Sequence, residues 1–232
     1  MTDSSGNYLF QVDPGSGDYL ISEANSIETN WVHTTATSGT ATAGTDTIQG
    51  PIFGNLCTGA GGGLTLGFWS NKNGQALETA SDFTNLTILN LFKGNGNAQD
   101  FTGSLAQNKS ALNSFLLSAT ATNMANMLSA QLAAMYLNVA HNFVQGSATL
   151  LVGTPPAGCS LPVVNGEITV NSLITDANAL LGAVGGNLTV GASQARTCEE
   201  FDKTALDNAN NNKNFVRATA CKHTFDTSAC TF

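Results

Sequence analysis

The chain has 232 residues, enough for one large domain or two small ones, and only 10% of them are charged, against roughly 25% in ordinary soluble domains. Its net charge is −8 and no Lys or Arg precedes Lys72, so it lacks the basic footprint that neutralises phosphates; nucleic acid and anionic membrane surfaces are excluded as partners. No apolar run approaches the ~20 residues a membrane-spanning helix needs, so no membrane insertion is expected.

Met1 leads directly into Thr2-Asp3-Ser4-Ser5-Gly6, without a basic and apolar leader. If the protein is exported, this chain is expected to be a piece of a longer polypeptide. Residues 1–38 read as a partial β segment of two or three strands. Tyr8-Leu9-Phe10-Gln11-Val12 alternates, Asp13-Pro14-Gly15-Ser16-Gly17 turns, and Asp18-Tyr19-Leu20-Ile21-Ser22-Glu23 alternates again, which predicts a hairpin. Trp31-Val32-His33-Thr34-Thr35 is a third candidate strand. Residues 39–56 read as a Gly/Thr/Ala/Ser-rich linker.

Residues 57–232 read as a mainly helical, disulfide-braced domain, so the fold class expected is α+β. It begins at Cys57 and a glycine run, Gly59-Ala60-Gly61-Gly62-Gly63, that lacks the Gly-Lys-Ser/Thr of a phosphate loop. The aromatic-amide cluster Leu64 to Gln75 follows. Helical periodicity is expected from there: 82–92, 104–119, and most strongly 123–143, where Ala125, Leu128, Leu132, Met135 and Val139 form one apolar stripe. Thr122 or Asn123 is its expected N-cap. A Pro/Gly loop at 153–158, a short strand at 167–170, and helices at 172–184 and 193–212 complete the series.

Five cysteines, Cys57, Cys159, Cys198, Cys221 and Cys230, contain no C-x-x-C pair, which argues against zinc or haem attachment. Wide spacing in a Thr/Ser-rich chain points to disulfides and an oxidising, extracellular or cell-surface location. The pairing favoured among the alternatives is Cys57–Cys221 and Cys159–Cys198, leaving Cys230 over.

Two resemblances emerge from these residues. Asp3-Ser4-Ser5-Gly6-Asn7-Tyr8-Leu9-Phe10 followed by Gly17-Asp18-Tyr19-Leu20-Ile21-Ser22-Glu23 resembles the last strands of the prealbumin-like repeats of bacterial surface adhesins, over about 35 residues. Some of those repeats carry an internal Lys–Asn isopeptide bond, which a segment without lysine cannot form. Gly67-Phe68-Trp69-Ser70-Asn71-Lys72 resembles the G-Y-W-K-N-H motif of secreted bacterial and fungal domains. The likeness continues in order through Leu128–Ala140 and Asp176-Ala177-Asn178-Ala179-Leu180-Leu181. The 53–232 segment as a whole is similar to bacterial proteins bearing G-F-W-S-N-K-N-G. This second resemblance implies secretion and no particular activity. Asn73 stands where the wider motif has His, so no metal role of that His transfers.

Trp69, Asn71 and Asn73 form a candidate glycan site, with an aromatic face for a pyranose and amides for its hydroxyls. The reading favoured over it is that Trp69 plugs the core while the amides cap loop backbone. Gln131 and Asn138, seven apart on one helix face, are expected to hydrogen-bond the backbone of the Trp69 loop. Asp3, Asp13 and Asp18 are weak candidates for calcium, although their spacing is not that of an EF-hand loop; no other cofactor is expected. His33, His141 and His223 are scattered. His141 suits a helix C-terminus, and a base or metal role would need Asp176 or Asp207 beside it. Gly191-Ala192-Ser193-Gln194-Ala195 fails as a nucleophile elbow at its last position and reads as a helix N-cap. No catalytic residues are assigned. The expected function is an extracellular structural or interaction module of a bacterial surface protein, adhesin-like, self-assembling through donated strands or binding other surface proteins. A carbohydrate-binding module and a hydrolase of unfamiliar type are the alternatives.

Overall fold

Tyr8 anchors the N-terminal segment: its hydroxyl donates to the Pro51 carbonyl at 2.5 Å, and its ring lies 6.0 Å from that of Phe53. A computed structural model describes residues 5–23, 30–186, 193–219 and 221. The chain divides into two compact units, residues 1–57 with 219–232, and residues 58–218.

In the first unit β1 (Asp18–Ser22) pairs antiparallel with β3 (Ser38–Thr42), and β2 (Trp31–His33) pairs with the first half of β4 (Asn55–Gly59). The expected hairpin between 8–12 and 18–23 is therefore corrected. Residues 8–12 form no strand, and β1 takes its partner from residues expected to be linker. Alternation and the Asp13–Gly17 turn are local signals, whereas partner choice depends on which strand closes the ladder. Ser38-Gly39-Thr40-Ala41-Thr42 is small and β-branched enough to serve, and Thr42 Oγ1 donates to Asp18 Oδ1 at 2.6 Å across it. Cys221 returns to this unit and is bonded to Cys57, so the expected helical domain of 57–232 loses its last residues to the N-terminal unit.

The second unit is built of helices whose starts are written in side chains. The short helices α1 (Leu66–Ser70) and α2 (Lys72–Leu77) lie within the aromatic-amide cluster, where no helix is expected from periodicity because neither exceeds two turns. In α3 (Ala80–Ile88), Thr79 and Asp82 close a capping box. In α4 (Leu105–Ser118), Ser104 and Gln107 do the same. Asn123 caps α5 (Met124–Ala140), Thr169 caps α6 (Val170–Val184) and Ser193 caps α7 (Gln194–Asn210), each by accepting from the backbone N–H three residues on. The strands β5 (Thr149–Leu151), β6 (Glu167–Thr169) and β7 (Phe215–Val216) pair antiparallel, β5 between the other two, and β7 also meets Thr58 and Gly59 of β4.

Helix α5 is buried well beyond its apolar stripe: 13 of its residues are buried, its Ser, Asn and Gln positions among them, and α7, α6, α3 and α1 all pack against it. The fold is α+β, with a few short strands and seven helices among the described residues. Among the described residues no helix is long and apolar enough to cross a membrane.

Candidate functional site

Trp69 is fully buried, at 0% exposure. Phe68 and Phe143 meet its ring edge-on at 5.3 and 6.1 Å, and the His141 ring lies 5.3 Å away. Of the two readings of this residue, the core plug is the one seen: no face of the indole is free to stack on a sugar. Asn71 and Asn73 are exposed, but Asn71 spends its Oδ1 capping α2, accepting from the N–H groups of Asn73 and Gly74 at 2.7 and 3.3 Å. Gln75 donates to the Ser70 carbonyl at 2.8 Å, and a Cβ on Gly74 would fall 2.3 Å from the Phe68 carbonyl oxygen. Every conspicuous residue of Gly67-Phe68-Trp69-Ser70-Asn71-Lys72-Asn73-Gly74 from Phe68 to Asn71, with Gly74, has a packing or capping role in the α1–α2 corner.

From Trp69 a chain of amides runs through the interior. Trp69 Nε1 donates to Asn138 Oδ1 at 3.0 Å, and Asn138 Nδ2 donates to the Leu64 carbonyl and to Asn210 Oδ1, both at 2.9 Å. Asn210 Nδ2 donates in turn to the carbonyl and Oε1 of Gln131, at 3.0 and 2.8 Å. Gln131 Nε2 ends the chain on Asp207 Oδ1 at 3.0 Å. Asn138 thus reaches the Trp69 segment as expected from helix geometry, whereas Gln131 does not. Gln131 is turned to α7, because two turns of α5 carry it past the end of the loop. Alongside, the glycine run is clamped. The N–H groups of Gly61 and Gly62 both donate to Asn212 Oδ1 at 2.7 Å, and a Cβ on Gly63 would stand 1.8 Å from the Ala209 carbonyl oxygen.

Sequence reading missed a second cluster, centred on Asp82. Its Oδ2 accepts from the Thr79 N–H at 2.7 Å and lies 3.1 Å from His141 Nε2. With Asp82 ionised, Nε2 is the donor in that contact. Glu78 is 3% exposed, and neither carboxylate oxygen meets a donor among the described residues. Its pKa is pushed up to about 7, first by burial, with Lys109 opposing and Asp82 adding to the rise. Lys109 Nζ donates to the Gln75 carbonyl. The Tyr136 hydroxyl is also held above its usual range, by burial and then by the Asp82 charge. The chemistry available is proton transfer: a histidine oriented by one carboxylate, beside an acid that keeps its proton near neutrality. Asp82 could have been flagged as a capping-box acid, but nothing local links it to a histidine 59 positions away.

The other candidates lie elsewhere. Asp176 accepts from Ser160 Oγ at 3.4 Å and faces Asp202 on α7 rather than His141; Asp207 is held by Gln131, Lys203 and Asn211. His33 pairs with Glu23 at 3.1 Å. Asp13 is an exposed turn residue, Asp18 is engaged by Thr42, and Asp3, His223 and Cys230 lie outside the described residues. Among the described residues no group of three or more His, Cys, Asp or Glu is arranged to hold a metal ion. Disulfides join Cys57 to Cys221 and Cys159 to Cys198.

These features define a disulfide-braced α+β protein. Comparison with protein-family models, with curated proteins and with solved structures finds no match.

Proposed function

We propose that the protein is an extracellular structural module of a bacterial surface protein whose N-terminal β unit pairs with a strand of a neighbouring molecule, in the first instance a second copy of this chain. The observation that carries this reading is the nature of the β1–β3 ribbon. Among the described residues it is two-stranded, four of the five β1 residues are exposed, and Leu20 is 73% exposed. In the same unit Leu9 and Ile52 are each 75% exposed. A two-stranded ribbon is marginal by itself, and its open edge offers unpaired N–H and C=O groups to another strand. Two disulfides support an oxidising compartment, and the adhesin-like and G-F-W-S-N-K-N-G resemblances support a secreted one.

Light scattering and negative-stain microscopy of the intact chain test the proposal. Concentration-dependent oligomers are expected, shifted to monomer by Leu20→Lys together with Leu9→Lys. A wild-type chain that stays monomeric at every accessible concentration, and recovers no partner strand from a library of extended peptides, would end it. A second reading, a proton-transfer enzyme, is favoured by one arrangement, the Asp82–His141 pair beside Glu78. It predicts an activity abolished by His141→Gln, and equal turnover by that variant and the wild type on every substrate tried would remove it. The glycan reading has lost the exposed Trp69 face it needed.

A further inference from the structure

Asp202 on α7 is 2% exposed, and its Oδ2 meets no N–H or O–H donor among the described residues. Its hydrogen-bonding neighbour is another carboxyl, that of half-buried Asp176 on α6. Glu199, at 0% exposure, lies three residues before Asp202 on the same face of α7 and adds its charge. Of the cations of α7, Arg196 pairs with Glu200 at 2.8 Å and donates to the Ala121 carbonyl, and Lys203 pairs with Asp207 at 3.1 Å. Helix α5 packs against both α6 and α7, but its sole titratable side chain, Tyr136, feels Asp82. Ser160, in the loop before β6, donates to Asp176 at 3.4 Å. Two carboxylates in hydrogen-bond contact inside a protein cannot both be ionised without a positive charge between them.

We propose that Asp176 and Asp202 share one proton and that this pair is a pH-sensitive clamp between α6 and α7, closed in acid and opened in alkali. The Asp202 pKa is pushed up to about 8, first by burial and then by Asp176 and Glu199, and that of Asp176 is raised by burial as well. The burial of Asp202 with no donor on its Oδ2 among the described residues points the same way. Loss of the proton leaves like charges facing each other across the α6–α7 seam. The Cys159–Cys198 disulfide holds the start of α7 to the loop before β6, so the response is a local loosening of the seam rather than release of a helix. A clamp of this polarity suits a protein that stays rigid in acidic surroundings and relaxes as the medium turns alkaline.

Carbon-detected carboxyl NMR of the intact chain, titrated from pH 3 to 10, reads the pair directly. The expected result is an Asp202 carboxyl carbon that titrates at least two pH units above the ordinary aspartate range. Asp176→Asn should lower that midpoint. Hydrogen exchange of α6 and α7 amides, corrected for intrinsic rates, should quicken at least tenfold between pH 5 and pH 9 in the wild type and stay level in Asp202→Asn. If Asp202→Asn fails to fold, the half-exposed Asp176→Asn carries both measurements. An Asp202 carboxyl titrating in the ordinary range overturns the proposal. So does millimolar calcium abolishing the pH response, because a cation would then fill the gap in place of the proton.

Discussion

Asn138→Ala tests whether the amide chain holds the helical unit together. The side chain is at 0% exposure and makes three hydrogen bonds, one to the equally buried Trp69 indole, one to the Leu64 carbonyl and one to Asn210. Truncation strands a buried N–H and two buried acceptors, each costing about 1–3 kcal/mol when left unmade. Allowing for partial relaxation, a loss of roughly 4 kcal/mol is expected, or a fall in Tm of about 12 °C at the ~3 °C per kcal/mol of a unit this size. Urea denaturation of the variant in a Trp31→Phe background, followed by Trp69 fluorescence, measures it. The midpoint should fall with the m value unchanged. A double-mutant cycle with Asn210→Ala should return a coupling of about 1 kcal/mol or more, because the two amides share a bond. A loss below about 1 kcal/mol at unchanged m would refute the reasoning, since it would mean that the polar groups around Trp69 find other partners without Asn138.

Gly63→Ala should be among the most damaging single changes. The added methyl would lie 1.8 Å from the backbone oxygen of Ala209, which no rotamer relieves, and thermal melts should show a loss of about 3 kcal/mol or failure to fold. Glu78 makes the helical unit lose stability as pH rises. The unfolded chain releases this proton near 4.5 and the folded chain keeps it until about 7, so the unfolded state binds fewer protons through that window. Melts from pH 4 to 8 should show up to about 3 kcal/mol of decline from this group, and Glu78→Gln should remove that part of the slope. The paired change Cys159→Ser with Cys198→Ser opens a crosslink of separation 39 and should cost about 4 kcal/mol by loop entropy, read as a lowered denaturation midpoint. Tryptic mapping without reductant should find these two cysteines in one linked peptide.

Much of the helical unit was legible locally. Ser104 with Gln107, Asn123 and Ser193 mark helix starts, because a cap bonds backbone only two or three residues away. The 3.6-residue period places α4, α5, α6 and α7 within a few residues. The conspicuous Gly67–Gly74 cluster admits two readings from sequence, a glycan platform and a core plug with capping amides, and the structure shows the second. An indole flanked by amides has the same composition whether it faces a sugar or a core, and only burial separates the two. Thr40 and its neighbours looked like linker because small residues carry no strand signal until a partner such as β1 is beside them.

The sequence by itself determined the low charge, the absence of a basic surface, the disulfide-forming cysteines and the order of the main helices, since each is a property of composition or of contacts within about one helical turn. Only the tertiary structure decided that β1 pairs with β3, that Asn138 reaches Trp69 while Gln131 reaches α7, that Asp82 meets His141, and that Asp176 meets Asp202. Those pairings join residues well apart in the chain. Within the helical unit they exist because packing α5, α6 and α7 together brings the groups into contact and excludes the water that would otherwise satisfy them.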